Sequence, residues 1–85
     1  MPPISRFYGI VVFMNYSDHQ TPHFHARYQD QEVIVEIESG IVRGTMSRQA
    51  LRMVIEWSER HQEALLRDWQ LALARQPLEQ IPPLP

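Results

Sequence analysis

Residues 18–28, with the sequence DHQTPHFHARY, connect two strand-like segments and contain three of the four histidines of this 85-residue chain. Pro22 favours extended backbone at the residue before it, so we expect a strand to begin at His23. From His23 to Tyr28, polar and apolar residues alternate, which predicts a strand with one buried face. The apolar positions are Phe24, Ala26 and Tyr28, and the polar positions are His23, His25 and Arg27.

A second alternating segment, residues 32–38, follows a short turn at residues 29–31. The two segments therefore predict an antiparallel hairpin with a two-residue loop. A slip of one residue would turn the apolar side chains to the wrong face, so the hydrophobic pattern fixes the register. In this register Val33, Val35 and Ile37 join the apolar face. The opposite face is predicted to carry His23, His25, Arg27, Ile34, Glu36 and Glu38.

A single long strand is predicted upstream, over residues 5–16, because this segment is rich in β-branched and aromatic residues. It is apolar on both faces, which indicates a central strand or a strand covered by a partner. Gly9 within it is expected to mark a bulge or a close backbone approach. Residues 41–44 either add a short fourth strand or lead into the helical region.

The C-terminal part is predicted to be helical over residues 47–76, where neither glycine nor proline occurs and apolar residues recur every three or four positions. Thr45 or Ser47 is the expected N-cap. One bent helix and two helices broken near residues 60–62 both satisfy the pattern. We favour two, because one thirty-residue helix would be about 45 Å long. Residues 77–85 are expected to form an extended, proline-rich tail.

The predicted fold is a single α+β domain spanning residues 1–85. It has an antiparallel meander of three or four strands, with strands at about 5–16, 23–28 and 32–38. One bent helix or two C-terminal helices cover its apolar face. The His/Arg/Glu face is expected to be open or to meet a partner.

Composition and charge exclude several classes of function. The chain has no cysteine, which excludes disulfides, thiol catalysis and thiolate metal sites. Its net charge of −2 is unlike the basic surface that binds a phosphate backbone, so nucleic acid is not the expected partner. No segment has the length and apolar character of a membrane span. Without a signal-peptide pattern, we expect a cytoplasmic protein.

The histidines allow three interpretations. His23 and His25 lie two apart on one strand face and could share a transition metal such as zinc, with His19, Asp18 or Glu36 as further ligands. They could instead perform acid–base chemistry without a metal, with Arg27 stabilising developing charge. The third interpretation is purely structural: the two histidines pair across the strands with Glu36 and Glu38 on a solvated face. On this last interpretation no cofactor is expected.

Several segments of the chain, among them D-H-x-x-P-H-F-H-A at residues 18–26 and RFYGI at residues 6–10, resemble those of a known bacterial family, called "domain of unknown function 4160". The resemblance extends over nearly the whole chain, and its most specific part is the segment D-H-x-x-P-H-F-H-A, residues 18–26. Other matching segments are RFYGI at 6–10, ALR at 50–52 and the proline-rich end. One departure is the turn at residues 29–31, where relatives commonly have a glycine.

The resemblance implies no activity and no catalytic role for any residue. It implies a small cytoplasmic protein, often encoded beside another short reading frame, as in toxin–antitoxin-like pairs. Our leading hypothesis is therefore a protein-interaction module that works as a homodimer or with a small neighbour-encoded protein. The alternative is a metal- or histidine-dependent hydrolase, similar to a ribonuclease, that uses His19, His23 and His25.

Overall fold

The computed structural model describes residues 2–15 and 21–85. Its sheet has five antiparallel strands in chain order, each hydrogen-bonded to the next. Two helices follow the sheet, so the α+β class is confirmed, whereas the predicted number of three or four strands is wrong. The elements are β1 Ser5–Phe7, β2 Ile10–Phe13, β3 His23–Tyr28, β4 Gln31–Glu36, β5 Val42–Gly44, α1 Arg48–Arg60 and α2 Gln62–Leu73.

The extra strand arises because the predicted strand over residues 5–16 is two strands joined by a hairpin. Tyr8 and Gly9 form the turn, with φ values of +50° and +80°. Positive φ at both central residues is the pattern of a type I′ turn, whose twist matches that of the flanking strands. Gly9 therefore marks the reversal of the chain and not a bulge within one strand. β2 ends at Phe13, three residues earlier than predicted.

The hairpin of β3 and β4 has the predicted register. His25 lies opposite Ile34, and His23 lies opposite Glu36. The loop is Gln29–Asp30, and β4 ends at Glu36, two residues before the predicted end at Glu38. Residues of the predicted apolar face are buried, except Tyr28, which is half-buried. The alternation that predicts this hairpin therefore also determines which side of the sheet faces the core.

The helical region consists of two helices separated at His61, whose φ of −124° is not helical. Ser47 is the N-cap of α1, since its hydroxyl oxygen accepts a 3.2 Å hydrogen bond from the Ala50 N–H. Trp57 is fully buried and contacts the rings of Phe7 and Phe24 at centroid distances of 5.4 Å and 5.8 Å. α1 therefore packs on the inner face of the sheet, which carries the core side chains. Among the described residues, no helix is long and apolar enough to cross a membrane.

The C-terminal segment, residues 77–85, packs back on the domain. The Trp57 indole N–H donates a 2.8 Å hydrogen bond to the Pro82 carbonyl oxygen. The backbone N–H of Ile81 donates a 2.8 Å hydrogen bond to the carbonyl oxygen of Ile4, and Ile81 itself is buried. This segment therefore closes the core beside β1 and leaves the other side of the sheet uncovered by α1 and by the tail.

Candidate functional site

The outer face is the side of the sheet opposite α1. Its side chains come from alternate positions of all five strands, and they combine arginines, glutamates and apolar groups. The outer-face residues are Arg6, Val11, Phe13, His23, His25, Arg27, Glu32, Ile34, Glu36 and Arg43.

Both ring nitrogens of His25, on the outer face, have hydrogen-bond partners. Nδ1 lies 3.3 Å from the Glu32 Oε2 atom, and Nε2 lies 3.1 Å from the amide nitrogen of Asn15. Since the Asn15 amide nitrogen donates, Nε2 accepts, and the ring proton resides on Nδ1 and points at Glu32. The His25 ring also stacks on Phe13, with a centroid distance of 5.1 Å and an interplanar angle of 14°. Its orientation is therefore fixed on three sides.

Glu32 joins His25 to Arg27. The Arg27 guanidinium donates to Glu32 Oε1 at 3.0 Å and 3.3 Å, while Oε2 accepts from His25. Burial alone raises the pKa of Glu32, but the hydrogen bonds and charges of Arg27 and His25 outweigh it and lower this pKa below its ordinary value of 4.5. Glu32 is therefore ionised at neutral pH and can orient both neighbours.

His23 lies at the start of β3, next to α2. Its Nδ1 atom donates a 2.8 Å hydrogen bond to the Thr21 carbonyl oxygen. Its ring contacts the rings of His25 and Trp69 at centroid distances of 5.4 Å and 5.0 Å. Both histidines are more than 90% buried. The predicted solvated face is therefore covered at its histidine end, whereas Arg27 and Glu32 on the same face are exposed.

A shallow depression of about 410 Å³ lies beside His25 on the outer face. Two arginines, one amide and three apolar side chains contribute to it, and none of the described residues that line it is acidic. The lining residues are Pro3, Arg6, Val11, Phe13, Asn15 and Arg27.

Comparison with known proteins places the chain in a family. The model of the family described as "Domain of unknown function (DUF4160)" matches residues 9–70, which is more than half of the chain. The chain belongs to the DUF4160 family. Curated proteins give no match to this DUF4160 protein, and solved structures give none either. The matched segment runs from the β1–β2 turn into α2 and includes Asn15, His25 and Glu32.

The metal hypothesis for this DUF4160 protein rests on residues that only partly fall in the described ranges. Within residues 2–15 and 21–85, no three His, Asp or Glu side chains are grouped so that they could hold a metal ion. The proposed ligands His19 and Asp18 lie outside the described residues. Glu36 accepts instead from the Ser39 hydroxyl at 2.8 Å and from Arg43 at 3.3 Å. Metal binding stays a prediction that depends on His19 or Asp18.

Of the predicted catalytic candidates, the structure brings His25 and Arg27 together through Glu32, while His23 lies on the helix side of His25. Sequence reasoning expected Glu36 and Glu38 as histidine partners and missed Glu32 and Asn15. Glu32 has the right parity for the outer face and lies directly opposite Arg27. Glu32 could therefore have been predicted as a partner of His25, because a long side chain also reaches the diagonal neighbour across a strand pair.

Proposed function

We propose that this DUF4160 protein is a protein-interaction module that binds an acidic segment of a small protein partner on the outer face of its sheet. The observation that carries the proposal is the depression beside His25. Among the residues that the structure describes, it is lined by Arg6, Arg27 and the Asn15 amide over an apolar floor, and by no carboxylate.

The apolar part of this surface supports a docking role. Val11, Phe13 and Ile34 are only half-buried, although their inner-face neighbours Ile10 and Val12 are completely buried. A domain of this size buries a smaller share of its surface than a larger domain does, which leaves such side chains available to a partner. Partly exposed aromatic and aliphatic groups flanked by arginines are typical of the centre of protein interfaces.

The charges of the depression support an acidic occupant. Arg6 makes no ion pair with any other residue in the described part of the chain. Arg27 is held by Glu32 on one side, and its guanidinium carbon lies 5.2 Å from the Phe13 ring centroid on the other. Because Arg27 is already ordered, it loses little side-chain freedom when a carboxylate binds. The two arginines therefore favour carboxylates over neutral groups.

The family resemblance suggests the source of the partner. A short reading frame beside the gene would encode the second member of a pair, and we propose that the pair is toxin–antitoxin-like. A phosphate backbone is the weaker alternative, because the chain carries a net charge of −2.

Mapping the contact by NMR tests the proposal. The full-length ¹⁵N-labelled chain is titrated with the purified neighbour-encoded protein, and a single-stranded RNA oligonucleotide serves as the competing probe. We expect amide shifts to change for residues of β2 and β3 and to stay constant along α1. No binding, changes confined to the helices, or binding of the RNA alone would overturn the proposal.

A second candidate function is histidine-dependent hydrolysis, and the bond between His25 and Glu32 favours it. A carboxylate that accepts from Nδ1–H fixes the imidazole tautomer and leaves Nε2 as the proton-transfer atom. Here Nε2 faces Asn15, which lines the depression, and Arg27 stands at the same opening. Displacement of the Asn15 amide by a substrate would give that substrate access to the imidazole.

Cleavage of a fluorogenic RNA by the purified protein tests this second candidate. We expect His25→Gln to abolish cleavage and Glu32→Gln to reduce it, with circular dichroism confirming that both variants fold. Cleavage that is absent from the natural protein, or unchanged in folded His25→Gln, would exclude histidine-dependent hydrolysis.

Metal-dependent hydrolysis is tested by measuring the metal content of untagged natural protein and of His23→Ala/His25→Ala with elemental mass spectrometry. A bound metal lost in the variant would support it, and a metal-free natural protein would end it.

A further inference from the structure

A second surface lies on the solvent side of α1, far from any function assigned above to the outer face. Four charged side chains surround two half-buried apolar ones there, around a shallow groove of about 480 Å³. This set, the α1 patch, consists of Arg48, Leu51, Arg52, Ile55, Glu56 and Glu59.

The order of charges in the α1 patch is unusual for a helix. Arg48 lies in the first turn of α1, which contains no acidic residue, and Glu59 lies in the last turn. The helix dipole favours the opposite arrangement, with acids at the N-terminus and bases at the C-terminus. Arg48 and Arg52 are moreover like charges spaced four apart, which repel. Stability of the helix itself therefore does not account for this pattern.

Three of the four charges also lack ion-pair partners among the residues that the structure describes. Arg48, Arg52 and Glu59 form no ion pair within the part of the chain that the structure describes. Glu56 accepts from Arg60 through Oε2 at 3.0 Å, which leaves Oε1 for a second donor. The patch thus presents two free positive groups at one end and carboxylate oxygens at the other.

We infer that α1 forms the contact of a symmetric homodimer, in which a second copy of the chain packs its own α1 antiparallel on this patch. A two-fold axis that crosses the helix near Met53 and Val54 places Arg48 opposite Glu59 of the partner subunit. The same axis places Arg52 opposite Glu56 of the partner subunit. Leu51 then contacts Ile55 of the partner subunit at the centre. The patch is therefore self-complementary, as a two-fold symmetric interface requires.

The opposite orientation is excluded by charge. In a parallel pair, the arginines of one helix would face the arginines of the other, and the glutamates would likewise face each other. The contact is also limited in size, because the thirteen residues of α1 span about 20 Å. A contact at the low end of specific interfaces is expected to give a weak dimer. The inference is independent of the proposed function, since it uses the other side of the molecule.

Sedimentation equilibrium of the full chain, from about 20 μM to about 2 mM, tests the inference with charge variants. We expect the natural chain to dimerise increasingly with concentration and less so in high salt. Arg48→Glu/Arg52→Glu and Glu56→Arg/Glu59→Arg each make the patch of one sign, so each is expected to weaken self-association at least about tenfold. A mixture of the two variants is expected to form heterodimers.

The variant that carries all four exchanges restores the complementary pattern and places its charges in favour of the helix dipole. We expect it to fold and to dimerise like the natural chain. Arg6→Glu/Arg75→Glu, which changes the charge equally but elsewhere, should leave self-association unchanged. The inference would be overturned if the natural chain stayed monomeric over the whole concentration range. It would also be overturned if the charge variants of the α1 patch dimerised as well as the natural chain does.

Discussion

Arg27 lies over the ring of Phe13, with its guanidinium carbon 5.2 Å from the ring centroid. The same ring stacks on the imidazole of His25. Phe13 is therefore the common support of the two groups that border the depression on the outer face.

Replacing Phe13 by alanine should expose this dependence. Because the ring is only half-buried, we expect Phe13→Ala to lower the free energy of unfolding by about 2 kcal/mol, less than the loss for a fully buried ring. Ile41→Ala, at a side chain that is 53% exposed, is the control and should cost less than about 0.5 kcal/mol. Urea denaturation measures both. Equal costs for the two variants would show that Phe13 supports nothing on this face.

Glu32 gives the outer face a pH dependence. Its folded pKa is lowered below 4.5, so its contribution to stability is present above pH 4.5 and is lost as the pH falls through the folded pKa. Because the Glu32 side chain is 39% exposed, we expect this contribution to be below about 1 kcal/mol. Urea denaturation of the natural chain and of Glu32→Gln should show a difference at pH 7 that shrinks in acid. A difference that grows in acid would contradict the account.

Asp68 on α2 has the opposite pH dependence. It is fully buried, Oδ1 accepts a 2.8 Å hydrogen bond from the Glu79 N–H, and Oδ2 has no partner in the described part of the chain. Burial is the main cause that raises its pKa above the ordinary 3.8, and the nearby Glu79 charge adds to it. The contribution of Asp68 to stability is thus fully present below pH 3.8 and is lost as the pH rises through the raised pKa.

Asp68→Asn should remove this loss while keeping an oxygen for the Glu79 N–H. We expect the variant to be more stable than the natural chain at pH 7, by roughly 1 kcal/mol, with the advantage vanishing near pH 3.8. Thermal unfolding followed over a pH series measures the difference. If Asp68→Asn is instead less stable at pH 7, the buried carboxylate has a favourable partner that this account omits.

Gly44 and Gly40 provide a matched pair that tests the β4–β5 edge. Both have positive φ, +97° and +78°, so alanine is strained at either position. A Cβ atom at Gly44 would lie 2.6 Å from the Glu32 carbonyl oxygen, whereas a Cβ atom at Gly40 would have no atom of a described residue within 4 Å. We expect Gly40→Ala to cost about 1 kcal/mol and Gly44→Ala clearly more, because the backbone of β4 must also move. Equal losses in denaturation experiments would refute the close approach of the two strands.

The central hairpin could be predicted from sequence, because its two strands alternate cleanly and only one register buries Phe24 with Val35. The β1–β2 hairpin could not be predicted in the same way. Its turn places Tyr8, a residue with no preference for positive φ, at +50°, and the strand after the turn, Ile10–Phe13, is apolar on both faces. Because the apolar residues run on without a polar loop, Gly9 is the residue that indicates a turn of the chain here.

The alternation of side chains along a strand also predicts part of the arrangement around His25. Strand parity places His25 and Arg27 together on one face, as the structure does. It does not tell which carboxylate they share, because Glu32 reaches His25 diagonally along the twisted strand pair. Nor does it tell that Trp69 of α2 contacts His23, because that contact depends on how the helix break at His61 directs α2.

The most direct test of the proposed function is the affinity of the neighbour-encoded protein for charge variants of the depression, measured by isothermal titration calorimetry. Arg6→Glu/Arg27→Gln removes the positive charge of the depression, while glutamine at 27 can still donate to Glu32. Arg75→Glu, a charge reversal at an exposed position after α2 and outside the depression, is the control. We predict that the double variant binds at least about tenfold more weakly than the natural chain and the control. Equal affinities for all three proteins would contradict the account.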